Sequence, residues 1–348
     1  MKQRIQYFDI LKGLAMFSVV NWHLMNNIGG DAMSTFIYRV MDMLQLPIFM
    51  FVAGFFCYRS NGTNKFIVPN LRRRAVQLLL PVLSCGLLWV FRQSYLTPPI
   101  CISLIDNAVS LVRGSNPFYF LICVFVLYYM YALVAVICRM FRKDIASLTI
   151  AVLYMILVIM YFRMPEEITK MFFLESIVLR FYIPFMVGVL CNRYRTQYEM
   201  SITYSPIVYG AVVAFILLSC WSAFDWIGMP SGIGFVAVQI QVIMAIFLMT
   251  ILCRRWEAIV NDKEAGRLWR YFILLGQNSL IIYTFHYFFR FSLSGLDTLL
   301  SSTGYASVAV MAVTLPIAIC IIWCCITVNK IIKAIPGLEF IFTGKTIS

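Results

Sequence analysis

The chain contains two histidines among its 348 residues, and one of them, His23, closes the stretch DILKGLAMFSVVNWH, which opens with Asp9 and Lys12 and is otherwise largely apolar. On a helix turning about 100° per residue, Lys12 lies about 20° from His23, Asp9 about 40° away on the other side, and Asn26 and Asn27 one turn beyond. These side chains form one polar stripe. At about 1.5 Å per residue, His23 stands roughly 21 Å along the axis from Asp9. An imidazole suits proton transfer, since its ordinary pKa of about 6.5 lets it take and return a proton near neutrality. It equally suits a hydrogen bond that ties one membrane helix to another.

His286 is the second candidate, about fifteen residues into another apolar run, with Ser279, Tyr283 and Arg290 near its face. It is either a second member of the site or a structural partner. Arg72, Arg73 and Arg74 are consecutive; guanidinium groups make bidentate bonds to phosphate, and such a run also serves as a topology signal and a lipid-headgroup contact. Arg39 and Asp42, three apart, either pair with each other or leave Asp42 to orient His23. Glu175 and Arg180, five apart, do not share a helical face, so each requires a partner on another helix.

These residues have to be positioned inside a membrane. With 62% hydrophobic and 12% charged residues and a mean hydropathy of +0.86, the chain exceeds what one soluble core can hide. The expected fold is all-α, a polytopic transmembrane helix bundle of about ten spans of roughly 20 residues each. They lie near 10 to 28, 36 to 58, 75 to 95, 117 to 138, 145 to 163, 172 to 191, 206 to 225, 233 to 253, 271 to 291 and 306 to 328. Most of the 28 Lys and Arg then fall in alternate loops, while the opposite loops carry Asp31, Asp106, Glu166, Glu167, Asp225 and Asp297. This asymmetry predicts both termini in the cytoplasm. It also accounts for the net charge of +13 without nucleic acid as a partner. The N-terminal helix is expected to be retained rather than cleaved, and no soluble domain is expected on either side, so the single membrane domain, 1 to 348, carries the activity. The eleven cysteines lie mostly in apolar runs and read as packing residues; without His or acidic neighbours at ligand spacing, no metal is expected.

The opening RIQYFDILKGLA with His23 resembles the start of the acyltransferase-3 family of membrane O-acyltransferases, in which an Asp-x-x-Arg-Gly segment precedes a histidine at this distance. LPIFMFVAGFF (46 to 56), RRRAVQLLLP (72 to 81), RFYIPFMVGVL (180 to 190) and LGQNSLIIYTFH (275 to 286) agree in order and spacing. The resemblance implies transfer of an acyl group, usually acetyl, from cytoplasmic acyl-CoA to a hydroxyl of a glycan or lipid-linked saccharide, in a bacterial cytoplasmic membrane. By position it gives His23 the catalytic role, with Asp9 and His286 as further candidates, and Lys12 and Arg72 to Arg74 the donor phosphates. Asn26 and Asn27 become candidate donors to the oxyanion, and Asp42, Glu175 and Arg180 candidates for orienting groups or binding the acceptor. Two departures stand out. Lys12 replaces the family's Arg, and Gln77 stands where the second Arg of an Arg-x-x-Arg pair is expected. The competing class is a multi-span transporter of a glycan or anion, which shares the polar stripe and basic loops.

Overall fold

The computed structural model describes residues 5–57, 64–96, 100–112, 117–141, 146–171, 173–204, 206–207, 209–210, 213, 231–261, 266–291, 293–296 and 306–344. Among the described residues there is helix and no strand. The longer elements are α1 (Gln6–Ile28), α2 (Phe36–Cys57), α3 (Asn64–Leu96), α4 (Ile100–Val112), α5 (Tyr119–Phe141), α6 (Ala146–Arg163), α7 (Tyr182–Arg193), α8 (Arg195–Thr203), α9 (Ser231–Asn261), α10 (Arg267–Gln277), α11 (Ser279–Phe285), α12 (Ala306–Ala334) and α13 (Leu338–Thr343). They divide into two compact units, Met1–Phe55 with Val187–Val328, and Phe56–Met186 with Asn329–Ser348.

Among the described residues, six helical segments are long and apolar enough to cross a bilayer: Ile37–Cys57, Leu71–Leu96, Tyr119–Val136, Leu174–Arg193, Gly234–Val260 and Val308–Ala334. They correspond to the second, third, fourth, sixth, eighth and tenth expected spans. Large apolar side chains stand exposed along them, among them Leu87 and Phe91 on α3, Ile240 and Leu252 on α9, and Val308 and Trp323 on α12. A soluble surface does not carry that much apolar area; the protein is an integral multi-pass membrane protein. The expected fifth span is α6, of which Ala151–Arg163 is a shorter apolar stretch. Most of the seventh, 206 to 225, lies outside the described residues.

The first and ninth expected spans differ most from simple apolar rods. In α1, buried residues point in every direction, from Tyr7, Phe8 and Asp9 through Met16, Val20 and Asn21 to Met25 and Ile28. A helix surrounded by protein tolerates polar groups that lipid would reject. Asn21 shows how: wholly buried, its amide nitrogen lies 3.4 Å from the sulfurs of Met41 on α2 and Met311 on α12 and 3.7 Å from that of Met25. The ninth span, expected as one helix over 271 to 291, is instead broken. α10 stops at Gln277, α11 runs only to Phe285, and a 3-10 turn covers His286–Phe288. Asn278 lies at the break. Its side-chain amide donates to the Leu274 carbonyl at 2.7 Å, beside its own backbone N–H at 3.1 Å, a local bond of the kind short polar side chains make.

Within the first unit α1 packs most extensively against α10, and two glycines set how closely. A Cβ on Gly13 would run into the Phe272 carbonyl oxygen, and one on Gly276 into that of Asp9. Each glycine thus sits over the carbonyl four residues before the other, a reciprocal contact between parallel helices like the small-residue crossings of membrane proteins. Below it lies an aromatic core in which the Phe8 ring is 4.6 Å from Phe55 and 4.5 Å from Tyr7. Gly188 on α7 makes the same kind of approach to the Phe51 carbonyl of α2.

In the second unit α3 packs against α4, α5 and α13. Gly86 admits Leu111, whose nearest methyl would be 3.0 Å from an added Cβ, and Asn107 donates to Ser94 Oγ at 3.1 Å. Ahead of α7 the chain makes a π-helical turn over Ile177–Phe181, which packs the Phe181 ring 5.7 Å from Phe120.

Gly276→Ala is expected to lower stability by about 3 kcal/mol, the upper range for forced overpacking, because backbone rather than a movable side chain blocks the added methyl. Gly266→Ala, with open space around its Cβ, is the control. Thermal unfolding of the two variants in the same detergent checks the difference.

Candidate active site

The polar residues of α1 separate into two groups. Near the N-terminus, Lys12 Nζ lies 2.8 Å from Asp9 Oδ1, with the carboxylate 5% and the ammonium side chain 23% exposed. Asp9 and Lys12 therefore share a face as an i,i+3 ion pair. Fourteen residues beyond Asp9, roughly 21 Å along the helix, His23 belongs to a different set of contacts.

His23 is held from the segment that follows α11. Tyr287 Oη lies 2.9 Å from its Nε2, and Arg290 Nη1 lies 3.4 Å from its Nδ1. The other terminal nitrogen of Arg290 donates to Asn27 Oδ1, and the Asn27 amide donates to the Phe291 carbonyl at 3.1 Å. Asn27 is thereby fixed at both ends and aims the guanidinium. Arg290 also sits over the Tyr287 ring, 5.3 Å from its centroid, within cation–π range.

The second imidazole stands beside the first. His286 is wholly buried, its ring centroid 5.1 Å from that of His23 and 4.2 Å from that of Tyr287. Its Nδ1 lies 3.0 Å from the Ile282 carbonyl, one turn back on α11. On the other side of His23, Trp22 meets the ring edge-on at 4.8 Å and stacks on Tyr38 at 5.4 Å. Tyr38 in turn donates to Asn26 Oδ1 at 3.4 Å.

The register of these contacts follows from the glycine crossing. His23 is ten residues after Gly13 and His286 ten after Gly276; Asn27 and Arg290 are each fourteen after their glycine. Parallel helices locked at the two glycines bring the two histidines to one level, and Arg290, beyond the 3-10 turn, reaches Asn27 from outside the helix. Such a site can move a proton at an imidazole and, through a fixed guanidinium and a phenol, stabilise negative charge as it develops.

A family model described as an acyltransferase domain matches residues 5–327, nearly the whole chain. The chain belongs to the acyltransferase-3 family. No curated protein and no solved structure matches it.

In this acyltransferase His23, His286, Asn26 and Asn27 come together, and Asp9 and Lys12 pair at the other end of α1. Asp42 is half-buried on α2; the two ring nitrogens of His23 are met by Tyr287 and Arg290. Arg72, Arg73, Arg74, Glu175 and Arg180 belong to the second unit. There the three arginines are exposed on α3, with Arg74 5.9 Å from the centroid of the Tyr128 ring. Glu175 is exposed, and the half-buried Arg180 lies in the π-helical turn. Cys85, Cys123, Cys191, Cys253 and Cys325 are buried with free thiols. Among the described residues no three His, Cys, Asp or Glu side chains converge as a metal site.

Sequence reasoning overlooked Tyr287, Trp22 and Tyr38. Tyr287 follows His286 directly and lies about 100° from it around the helical period, yet both rings meet His23. Tyr287→Phe keeps the ring and removes one hydrogen bond to His23. It should lower the acyl-transfer rate about tenfold, the equivalent of about 1.4 kcal/mol, with an unchanged thermal unfolding temperature. Steady-state rates of the purified variant measure the loss.

Proposed function

We propose that this membrane acyltransferase transfers an acyl group, acetyl in the first instance, from cytoplasmic acyl-CoA to a hydroxyl of a glycan or lipid-linked saccharide, and that it works in a bacterial cytoplasmic membrane. The observation that carries the reading is the pair of imidazoles 5.1 Å apart, joined to a guanidinium at Nδ1 of His23, in a chain of this family.

A sugar hydroxyl is a weak nucleophile until a base takes its proton, and attack on a thioester places negative charge on the former carbonyl oxygen. Base assistance contributes about 10² to 10⁴ in rate. Orientation and charge stabilisation contribute the remainder. The imidazole pair answers the first need, and Arg290, Tyr287 and Asn27 the second. For the donor, the chemistry of CoA calls for groups that bind phosphate. Arg72, Arg73 and Arg74 offer exposed guanidinium groups. Gln77 adds no charge where the family carries a second Arg, so the neighbouring arginines take on that role. A lipid-linked acceptor suits a site built from membrane helices, because its anchor keeps the saccharide at the bilayer.

His23→Ala should lower transfer of labelled acetyl from acetyl-CoA to a lipid-linked saccharide by about 100-fold or more, while expression and the gel-filtration profile stay as in the wild type. A variant with near wild-type rates would remove His23 from the chemistry, and flux of the saccharide into liposomes without donor-dependent acylation would make the protein a transporter. The double variant R73Q/R74Q should weaken acetyl-CoA binding about tenfold and flatten its salt dependence, as expected when charged contacts are lost. Titration of acetyl-CoA at two ionic strengths reads both effects.

A further inference from the structure

The two imidazoles differ in what their nitrogens can do, and the difference follows from hydrogen-bond chemistry. A guanidinium has only N–H donors and stays protonated. Nδ1 of His23, 3.4 Å from Arg290 Nη1, must therefore present its lone pair. The proton of the neutral ring then sits on Nε2 and is donated to Tyr287 Oη at 2.9 Å. Asn27 reinforces this order, because its Oδ1 holds the same guanidinium in place.

His286 has the opposite tautomer. Its Nδ1 faces the Ile282 carbonyl at 3.0 Å, and a carbonyl only accepts, so Nδ1 carries the hydrogen. The lone pair is on Nε2. That atom is buried and has no hydrogen-bond partner among the described residues. A buried acceptor without a donor is unfavourable, and native structures rarely keep one that serves packing alone. A ring needed only to cap Ile282 would be served by its Nδ1.

We propose that His286, through Nε2, is the base that takes the acceptor proton, and that His23 acts as the hydrogen-bond donor to the thioester carbonyl. The assignment rests on the acyltransfer reading above. The acceptor oxygen bonds to the thioester carbon as its proton passes to His286 Nε2, and the carbonyl oxygen becomes an oxyanion. His23 Nε2–H turns from Tyr287 to that oxygen. When the carbonyl re-forms, the C–S bond breaks and the sulfur leaves with the bonding pair. It receives the proton from His286, so an ester and a free thiol result and both rings regain their starting state. A neutral imidazole used as a donor to a carbonyl oxygen is known enzyme chemistry.

Because the chain has two histidines only, ¹⁵N-histidine labelling of the full-length protein in nanodiscs reports each ring, and the single variants assign the signals. His23 is expected protonated at Nε2 and bare at Nδ1, His286 the reverse; a His23 ring protonated at Nδ1, or a His286 ring protonated at Nε2, overturns the assignment. Activity gives a second readout. In H286N the amide nitrogen can replace Nδ1 toward Ile282 but nothing replaces Nε2, so transfer should fall about 100-fold or more with the fold kept. H23Q keeps a donor near the position of Nε2 and cannot carry a proton; it should exceed H23A by tenfold or more. H286N with wild-type rates, or H23Q as inactive as H23A, refutes the proposal. A wild-type protein without donor-dependent transfer would refute the acyltransfer reading itself, whichever tautomers the labels report.

Discussion

The reciprocal contact of Gly13 and Gly276 is the constraint on which the site depends. Lipid tails give helices little apolar incentive to associate, so association relies on close packing. Here each helix presents a bare Cα to the other's carbonyl. No side chain stands between the backbones, and the contact permits little sliding, because one residue of slip would place a side chain where a glycine sits. Everything above the crossing inherits this register. Ten residues on, the two histidines face each other; fourteen on, Asn27 meets Arg290.

A register alone would have left α11 running straight past α1. The break at Asn278 and the 3-10 turn at His286 end α11 at Phe285, and Tyr287 and Arg290 beyond it reach His23. Ending a helix inside a membrane protein frees backbone carbonyls, which must be satisfied locally. The backbone N–H groups of Asn278 and His286 meet the Leu274 and Ile282 carbonyls, and side chains add a second bond to each. Asn278 bonds the Leu274 carbonyl, His286 the Ile282 carbonyl, and Asn27 reaches from α1 to the carbonyl of Phe291. Two residues of the site, His286 and Asn27, thus also hold the backbone of this segment through their side chains. Their structural and chemical roles coincide, and for that reason a bare alanine substitution separates the two poorly.

Much of this could be read from the residues. The polar stripe of α1, the helical content and, among the described residues, six of the ten expected spans follow from periodicity and hydropathy. So does the similar depth of His23 and His286. The family resemblance, carried by the segments around Asp9 and Gly276, is matched by the family model over residues 5–327. The broken ninth span was not legible, since 271 to 291 is long and largely apolar and its Gln277-Asn278-Ser279 run is no stronger a break signal than the polar residues that stay helical elsewhere. The spacing of ten from each glycine to its histidine was printed in the chain but means nothing until the two glycines are known to touch. Tyr287 was hidden because, next to His286 in sequence, it falls about 100° off the face that the other polar residues mark. Nor does the ion pair of Asp9 and Lys12 follow from a shared face, which allows a pair as readily as two separate ligands.

The electrostatics of the site differ from those of hydrolases that use a histidine backed by a carboxylate. There the acid holds the ring in one tautomer and stabilises the imidazolium that forms. Here the ring nitrogens of His23 face a phenol and a guanidinium, and a cation at that distance opposes a second positive charge on the same ring. A site of this sign is suited to the moment when negative charge appears on substrate. On the acyltransfer reading proposed above, an oxyanion and a protonated base would arise together, so the net charge of the site would not change. Fixed positive charge in a low-dielectric setting is then worth most at the tetrahedral stage and little before it. The guanidinium, fixed by Asn27, needs no reorganisation to act.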